Sequence, residues 1–202
     1  MVNDLTREQR RYLFLKRITD ILIAAVAVVF LAIPMLLIAL TLKILYPRIP
    51  VLFKQQRVGR NGELFTLIKF SSMRNEAVLG KEAQGSLELP KYVIGFGNFL
   101  RNSSLDELPQ LFQVLSGKMS LIGPRPLVPQ EKAVHILRWD SGVYRLRPGI
   151  TGWAQVHGRD LLSDEKKAAY DKEYLEKMSF SLDRDIFLMT ILQVVFRRGI
   201  FE

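Results

Sequence analysis

Two adjacent carboxylates, Asp106 and Glu107, stand in the run Ser104-Leu-Asp-Glu-Leu-Pro. Ser104 and Glu107 have the spacing of a capping box, which predicts a helix over 104–115 with Gly117 past its end. Both acids then fall in its first turn, where the helix dipole and the free N–H groups favour negative charge. One reading is plain helix capping. The other is chemical: a carboxylate held at a helix N-terminus stays ionised at neutral pH and serves as a nucleophile or a ligand for Mg²⁺. The same helix end attracts phosphate.

A second candidate is Gly123-Pro124-Arg125-Pro126, where two prolines fix the backbone on either side of a guanidinium suited to bidentate phosphate contact. Taken alone, it is equally a structural turn. Arg147 and Arg159 bracket a third, Gly-rich segment, Pro148 to Gly158, whose glycines permit close backbone approach to a ligand. Within it Trp153 offers either a stacking surface or a core side chain. Zero Cys excludes disulfides, thiol catalysis and cysteine metal sites, and His135 and His157 are too few for a histidine-rich one. No P-loop, GxGxxG turn or Ser-His-Asp order is present. The pieces suggest a phosphate-rich substrate, a divalent cation and a carboxylate.

The elements that must hold these groups follow from pattern. Residues 4–20 read as a polar, basic helix, with Asp20 placed to pair with Arg17. Two strand-like runs, Val51–Phe53 and Leu64–Ile68, flank Gly59-Arg60-Asn61-Gly62 and predict a β-hairpin near 51–70. Residues 74–90 read as a polar loop, and 92–101 as a short helix broken by Gly95 and Gly97. Helices are expected over 131–139, 163–177 and 186–196, the last apolar and preceded by Asp183 and Asp185. Eleven residues cannot span a bilayer, so that helix packs in the core or lies on a membrane surface.

Ile21 to Leu42 is a 22-residue stretch without a charge. At about 33 Å as a helix, it is of membrane length. The net charge of +9 is concentrated around it: residues 1–60 carry 10 Lys/Arg and 3 Asp/Glu, and five of those cations lie on each side of the stretch. A spanning helix usually has its basic flank on one side only. Pro34 removes a backbone hydrogen bond past the middle of the stretch, so a kink is expected there. Two topologies fit: a helix that enters, bends at Pro34 and returns to the same face, and a single kinked spanning helix.

At this point the motifs resemble a known family. Ser104-Leu-Asp-Glu-Leu-Pro-Gln-Leu-Phe-Gln-Val-Leu-Ser-Gly-Lys-Met-Ser-Leu-Ile-Gly-Pro-Arg-Pro126 looks like the signature of the bacterial sugar transferases, the monotopic polyprenyl-phosphate phosphoglycosyl transferases. Arg147-Pro-Gly-Ile-Thr-Gly-Trp-Ala-Gln-Val-His-Gly-Arg159 resembles its second block, and Gln56 to Phe65 with Lys69, Phe70 and Met73 a weaker third. The resemblance covers nearly the whole chain and corresponds to the family's minimal catalytic unit. It implies an α+β, mostly helical fold with a re-entrant membrane helix broken at Pro34, amphipathic surface helices and the small hairpin. Residues 1–48 would form the membrane part, and residues 49–202 a cytoplasm-facing catalytic domain at the bacterial inner membrane.

The resemblance also implies a reaction. A nucleotide-activated sugar, usually a UDP-sugar, donates phospho-sugar to polyprenyl phosphate and UMP leaves. Asp106 would be the nucleophile and Glu107 would hold Mg²⁺. Arg125 would bind phosphate, with Arg101, Arg159, Lys69 and, more weakly, Arg147 as further contacts. The partners implied are the donor, the lipid acceptor and membrane lipids; the oligomeric state stays open, a homodimer being one option. Two positions depart from the family pattern: His157 stands where Asn is common, and Ser71 where Arg or Lys is common. Two other classes were weighed. A nucleic-acid binder is disfavoured because residues 61–202 carry a net charge of only +2. An inactive scaffold is disfavoured by the intact Asp-Glu pair.

Overall fold

The computed structural model describes residues 4–73, 93–158 and 161–196. Of the described residues 63% are helix and 13% strand, which gives a mostly helical α+β architecture. Its first element is one 39-residue helix, α1 (Arg7–Leu45), which joins the basic segment and the apolar stretch. Thr6 and Gln9 close a capping box at its start. The helix continues through Pro34. Among the described residues it is the one helix long and apolar enough to cross a membrane, with a mean hydropathy of 3.1 over its most apolar window.

Burial on α1 follows a single stripe. Lys16, Asp20, Ala24, Met35, Ile38 and Leu42 are buried, spaced mostly three or four residues apart. Val29, Phe30 and Ile33 on the other faces are more than 70% exposed. The stripe packs on the rest of the molecule along its whole length. Ala24 joins Phe65, Leu67, Leu111 and Val114, and further along Met35, Ile38 and Leu42 join Phe70, Ile94 and Leu100.

The hairpin is present as expected. β1 (Leu52–Val58) pairs antiparallel with β2 (Leu64–Phe70). The tip places Asn61 at φ 56° and Gly62 at φ 77°, the left-handed pair an Asn-Gly turn supplies. Ser71 closes the hairpin base: its amide donates to Val51 O at 2.9 Å and its hydroxyl to Pro50 O at 2.5 Å. Ser71, one of the two departures from the family pattern, is buried there.

The helix α2 (Gly95–Asn102) starts at Gly95 and runs through Gly97 rather than breaking there. A Cβ on Gly97 would lie 2.1 Å from Ser72 O, so this glycine lets α2 touch the chain after β2. The segment 104–115 is corrected too. It is a 3₁₀ turn over Leu105–Glu107 followed by α3 (Gln110–Leu115). Ser104 is left-handed at φ 54° and makes no side-chain cap, so the capping-box expectation fails.

Two three-residue strands, β3 (Ser120–Ile122) and β4 (Gly149–Thr151), pair in parallel and bring two of the motif blocks together. α4 (Lys132–Ser141) lies between them in sequence, and α5 (Trp153–Val156) follows β4. α6 (Asp164–Lys177) forms where the pattern predicts a helix, with Ser163 as its N-cap. α7 (Phe180–Phe196) begins six residues earlier than expected and so encloses Asp183. Its core-packing expectation holds on one face. Ile186 is fully buried in the core, while Phe187, Leu188, Ile191 and Leu192 are exposed. The polar loop expected over 74–90 lies outside the described residues, as do Arg197 and Arg198.

One polar knot joins α1 to this body. Asp183 accepts from Tyr12 Oη, Lys16 Nζ and Tyr174 Oη, each at 2.7 Å. Lys16 also reaches Asp20 at 3.6 Å, and Asp20 accepts from Ser120 Oγ at 2.7 Å. Asp20 is thus buried and paired with Lys16, one turn back on the helix, rather than with Arg17 at an interface. Arg17 instead donates to Val114 O and Leu115 O at 2.7 and 3.1 Å, closing the C-terminal end of α3.

Candidate active site

Asp106 is 6% exposed, on the turn between α2 and α3. The turn is entered through Ser104, whose left-handed backbone is uncommon for a residue with a Cβ. Pro109 has no N–H to donate and forms the N-cap of α3, so the helix starts only at Gln110. Gln113 then fixes α3 against the hairpin: its Oε1 accepts from Ile68 N at 3.1 Å and its Nε2 donates to Thr66 O at 2.6 Å. One amide side chain thereby satisfies both backbone groups that β2 offers at this point of its open edge. Sequence pattern gave no sign of this role. Gln113 looks like any polar helix residue until β2 is placed beside it.

The next residue on that strand is Lys69. Its ammonium lies 4.9 Å from the centre of the Phe53 ring, on the partner strand. Arg101 arrives from the last turn of α2, with Nη1 3.3 Å from Met73 Sδ. Together with Glu107 these are the charges that act on Asp106. Burial, and then the neighbouring Glu107, push the Asp106 carboxyl up to about 6, while Lys69 and Arg101 pull it down. Lys69 itself is held below the usual lysine range by burial, opposed by Asp106. The expectation that this acid stays ionised at neutral pH is met, although burial raises it above the usual aspartate range. At pH 7 the carboxylate form still dominates, and its basicity exceeds that of an exposed aspartate.

The other expected residues fall elsewhere. Arg125 sits in a loop fixed from both sides: Gly123 N donates to Thr151 O at 2.8 Å and Gly149 N to Pro124 O at 2.9 Å. Arg138 Nη1 donates to Arg125 O at 2.8 Å, and Val58 N to Leu127 O ties the loop to β1. The Arg125 side chain lines a cavity with Arg138, Gln155 and Lys167. Gly149 and Gly152, expected to approach a ligand, approach Gly123 instead; a Cβ on either would lie 2.0–2.1 Å from that residue's backbone. Arg147 donates from Nε to Gly117 O at 2.8 Å and lines a different cavity, with Arg17 and Arg60. Arg159 lies outside the described residues. Trp153 is half-buried and donates to Glu173 at 2.9 Å, with His157 edge-on beside it. His157 stacks on Tyr170 and its Nδ1 lies 2.8 Å from Trp153 O. The structure thus gathers Lys69, Arg101, Asp106 and Glu107, and places Arg125 and Arg147 around cavities of their own.

Comparison with known proteins assigns these motifs. Residues 11–197 match the family described as bacterial sugar transferase. The chain belongs to that family. It is 38% identical over 192 residues to a Bacillus subtilis (strain 168) protein named as an uncharacterized sugar transferase, EpsL, covering 93% of this chain and 91% of that one. It is 38% identical over 187 residues to the UDP-glucose:undecaprenyl-phosphate glucose-1-phosphate transferase of Xanthomonas campestris pv. campestris. It is 36% identical over 189 residues to the enzyme of the same name in Escherichia coli (strain K12). Each of these two matches covers 89% of this chain and about two fifths of the longer relative, 38% and 40% respectively.

The acid pair fits a divalent cation of the kind this family's resemblance implies. Among the described residues no group of three or more His, Asp or Glu side chains forms a metal cage. Mg²⁺ does not need one: it commonly takes one or two carboxylates and completes its shell with water and substrate phosphates. Glu107 raises the proton affinity of Asp106, and a cation held by the pair would relieve that repulsion.

Proposed function

We propose that this sugar transferase moves phospho-sugar from a UDP-sugar to a polyprenyl phosphate by way of a covalent aspartyl intermediate. An Asp106 carboxylate oxygen attacks the sugar-linked phosphorus. The bond from that phosphorus to the oxygen bridging toward the nucleotide breaks, and UMP leaves with the electron pair. A phosphate oxygen of the lipid then attacks the same phosphorus, Asp106 departs as carboxylate, and a polyprenyl-diphosphate-sugar forms. Lys69 and Arg101 offer positive charge where the transferred phosphoryl group must sit. Glu107, with Asp106, would hold Mg²⁺, which neutralises diphosphate charge and eases departure of UMP. Arg125 and Arg159 are proposed to bind phosphate, which reads the cavity beside Arg125 as the outer part of the donor site.

The observation that carries this reading is Asp106 itself: a buried carboxylate on a left-handed turn, made more basic by burial and faced by two cations. The relatives' names support the substrates, since those proteins act on UDP-glucose and undecaprenyl phosphate.

The same reading places the enzyme at the bacterial inner membrane with its body on the cytoplasmic face. The buried stripe of α1 supports a re-entrant course. It follows the catalytic body from Lys16 to Leu42, about 39 Å of helix, so a straight crossing would drag that body into the bilayer. Release of UMP from a panel of UDP-sugars, with undecaprenyl phosphate as acceptor, tests the reaction and selects the sugar. No release from any UDP-sugar, by protein shown to be folded, would refute it.

A further inference from the structure

Arg17 on α1, Arg60 at the hairpin tip and Arg147 before β4 converge on one cavity, which Lys16, Asp20 and Arg145 also line. Its volume of about 40 Å³ has room for about three waters, the scale of a single phosphate group. The hydrogen bonds these guanidiniums make are to carbonyls. Arg17 donates to Val114 O and Leu115 O, Arg60 Nε to Arg145 O at 3.0 Å, and Arg147 Nε to Gly117 O. Carbonyls satisfy N–H groups but cancel no charge. Among the described residues the one carboxylate lining the cavity, Asp20, is already engaged by Lys16 and Ser120. Burial, and then Arg60 and Arg17, push the Arg147 guanidinium down, as two cations lining the same cavity would. Such a cluster is relieved by an anion.

Its position selects the anion. Lys16, Arg17 and Asp20 immediately precede the apolar stretch that begins at Ile21, so Arg17 lies about 6 Å along the helix from its start. On the other faces of this turn Phe14, Ile18 and Leu22 are 67%, 44% and 60% exposed. That is the depth of a lipid headgroup.

We propose that this cavity binds the phosphate group of an anionic membrane phospholipid, with Arg17, Arg60 and Arg147 as its donors. The proposal rests on the placement of α1 in the bilayer and moves Arg147 from the donor site to a lipid site. Its bound lipid would lock α1 to the hairpin tip and to the end of α3, which a neutral headgroup would do more weakly.

The test uses the full chain in a neutral detergent. Short-chain phosphatidylglycerol, short-chain phosphatidylcholine and inorganic phosphate are titrated separately, and the unfolding temperature is followed. Phosphatidylglycerol is expected to raise it saturably, at concentrations where the other two do little. Arg60→Gln, at an exposed turn, is expected to weaken the half-saturating concentration about tenfold. Asp106→Asn is expected to keep the full response, which separates this site from the catalytic assignment. Flotation of wild-type protein with phosphatidylcholine vesicles checks the placement of α1 separately. A phosphatidylglycerol response unchanged by Arg60→Gln and Arg147→Gln, or none in protein that floats, would overturn the proposal. Inorganic phosphate acting as strongly, with the same dependence on Arg60, would overturn the lipid assignment in favour of a soluble anion.

Discussion

Asp106 and Asp183 are almost equally withdrawn from water, at 6% and 8% exposure, yet they are held in opposite ways. Asp183 accepts three hydrogen bonds at 2.7 Å, from two tyrosines and a lysine, and its surroundings leave it nothing more to do. Those phenols are in turn held protonated by burial and by the carboxylate they serve. Asp106 is opposed by burial and by Glu107, and is supported by cations that act as charges around it. Equal burial thus serves a joint in one case and, in the proposed reaction, a nucleophile in the other. What separates them is how completely the neighbouring donors satisfy the charge.

The largest effect that can break this comparison is on turnover. Asp106→Asn is expected to lower phospho-sugar transfer by ~10³-fold or more while the protein stays folded, measured by UMP release and circular dichroism. Asp183→Ala is expected to act on folding instead. It strands a buried ammonium and two phenols, a class of change that costs about 3–5 kcal/mol, readable in denaturant unfolding. If Asp183→Ala were neutral, the knot between α1 and α7 would not be structural.

Stability against pH sharpens the contrast. The folded-state pKa of Asp106, about 6, lies above the ordinary aspartate value. Its contribution to stability is therefore full below about pH 4 and is lost as pH rises through about 6. Above that the ionised group is a liability of up to ~3 kcal/mol. Without added metal, Asp106→Asn is expected to be more stable than wild type at pH 8, by an amount that fades toward pH 4. Activity runs the other way: the donor half-reaction is expected to fall as pH drops through about 6, because the nucleophile becomes protonated. A flat profile between pH 5 and 8 would remove the link between burial and reactivity.

The smallest effect concerns positioning. Gln113→Leu leaves Ile68 N and Thr66 O without their partner, which costs about 1–3 kcal/mol. It is also expected to lower kcat more than it raises KM, because it loosens β2, and so Lys69, relative to the turn that carries Asp106. Equal changes in both would mark Gln113 as structural only.

The parts of this molecule that were legible in the sequence are those set by local chemistry. Asn61-Gly62 announces the hairpin because its turn needs two left-handed residues, and the charged run over 163–177 announces α6. The acid pair and the arginine loop stood out by residue type and spacing, and the family resemblance gave them their proposed roles. The rest depends on partners distant in sequence. β3 and β4 are too short for any period and exist only because residues near 120 meet residues near 150. Spacing in the sequence pairs Asp20 with Arg17; the arrival of Ser120 and α3 gives it Lys16 instead. Ser104 and Glu107 have capping spacing, but Pro109 delays the helix and Ser104 takes a left-handed turn that carries Asp106 instead.

The central claim is a covalent phospho-sugar on Asp106, and it is tested most directly without acceptor. Full-length protein is mixed with Mg²⁺ and a UDP-sugar radiolabelled in the sugar, the donor being one that supports turnover. Label on the protein and released UMP are then counted together. The account predicts a burst of UMP matched by protein-bound label, discharged by added undecaprenyl phosphate and absent in Asp106→Asn. Acceptor-dependent turnover with no labelled protein and no burst, or equal labelling in Asp106→Asn, would contradict it.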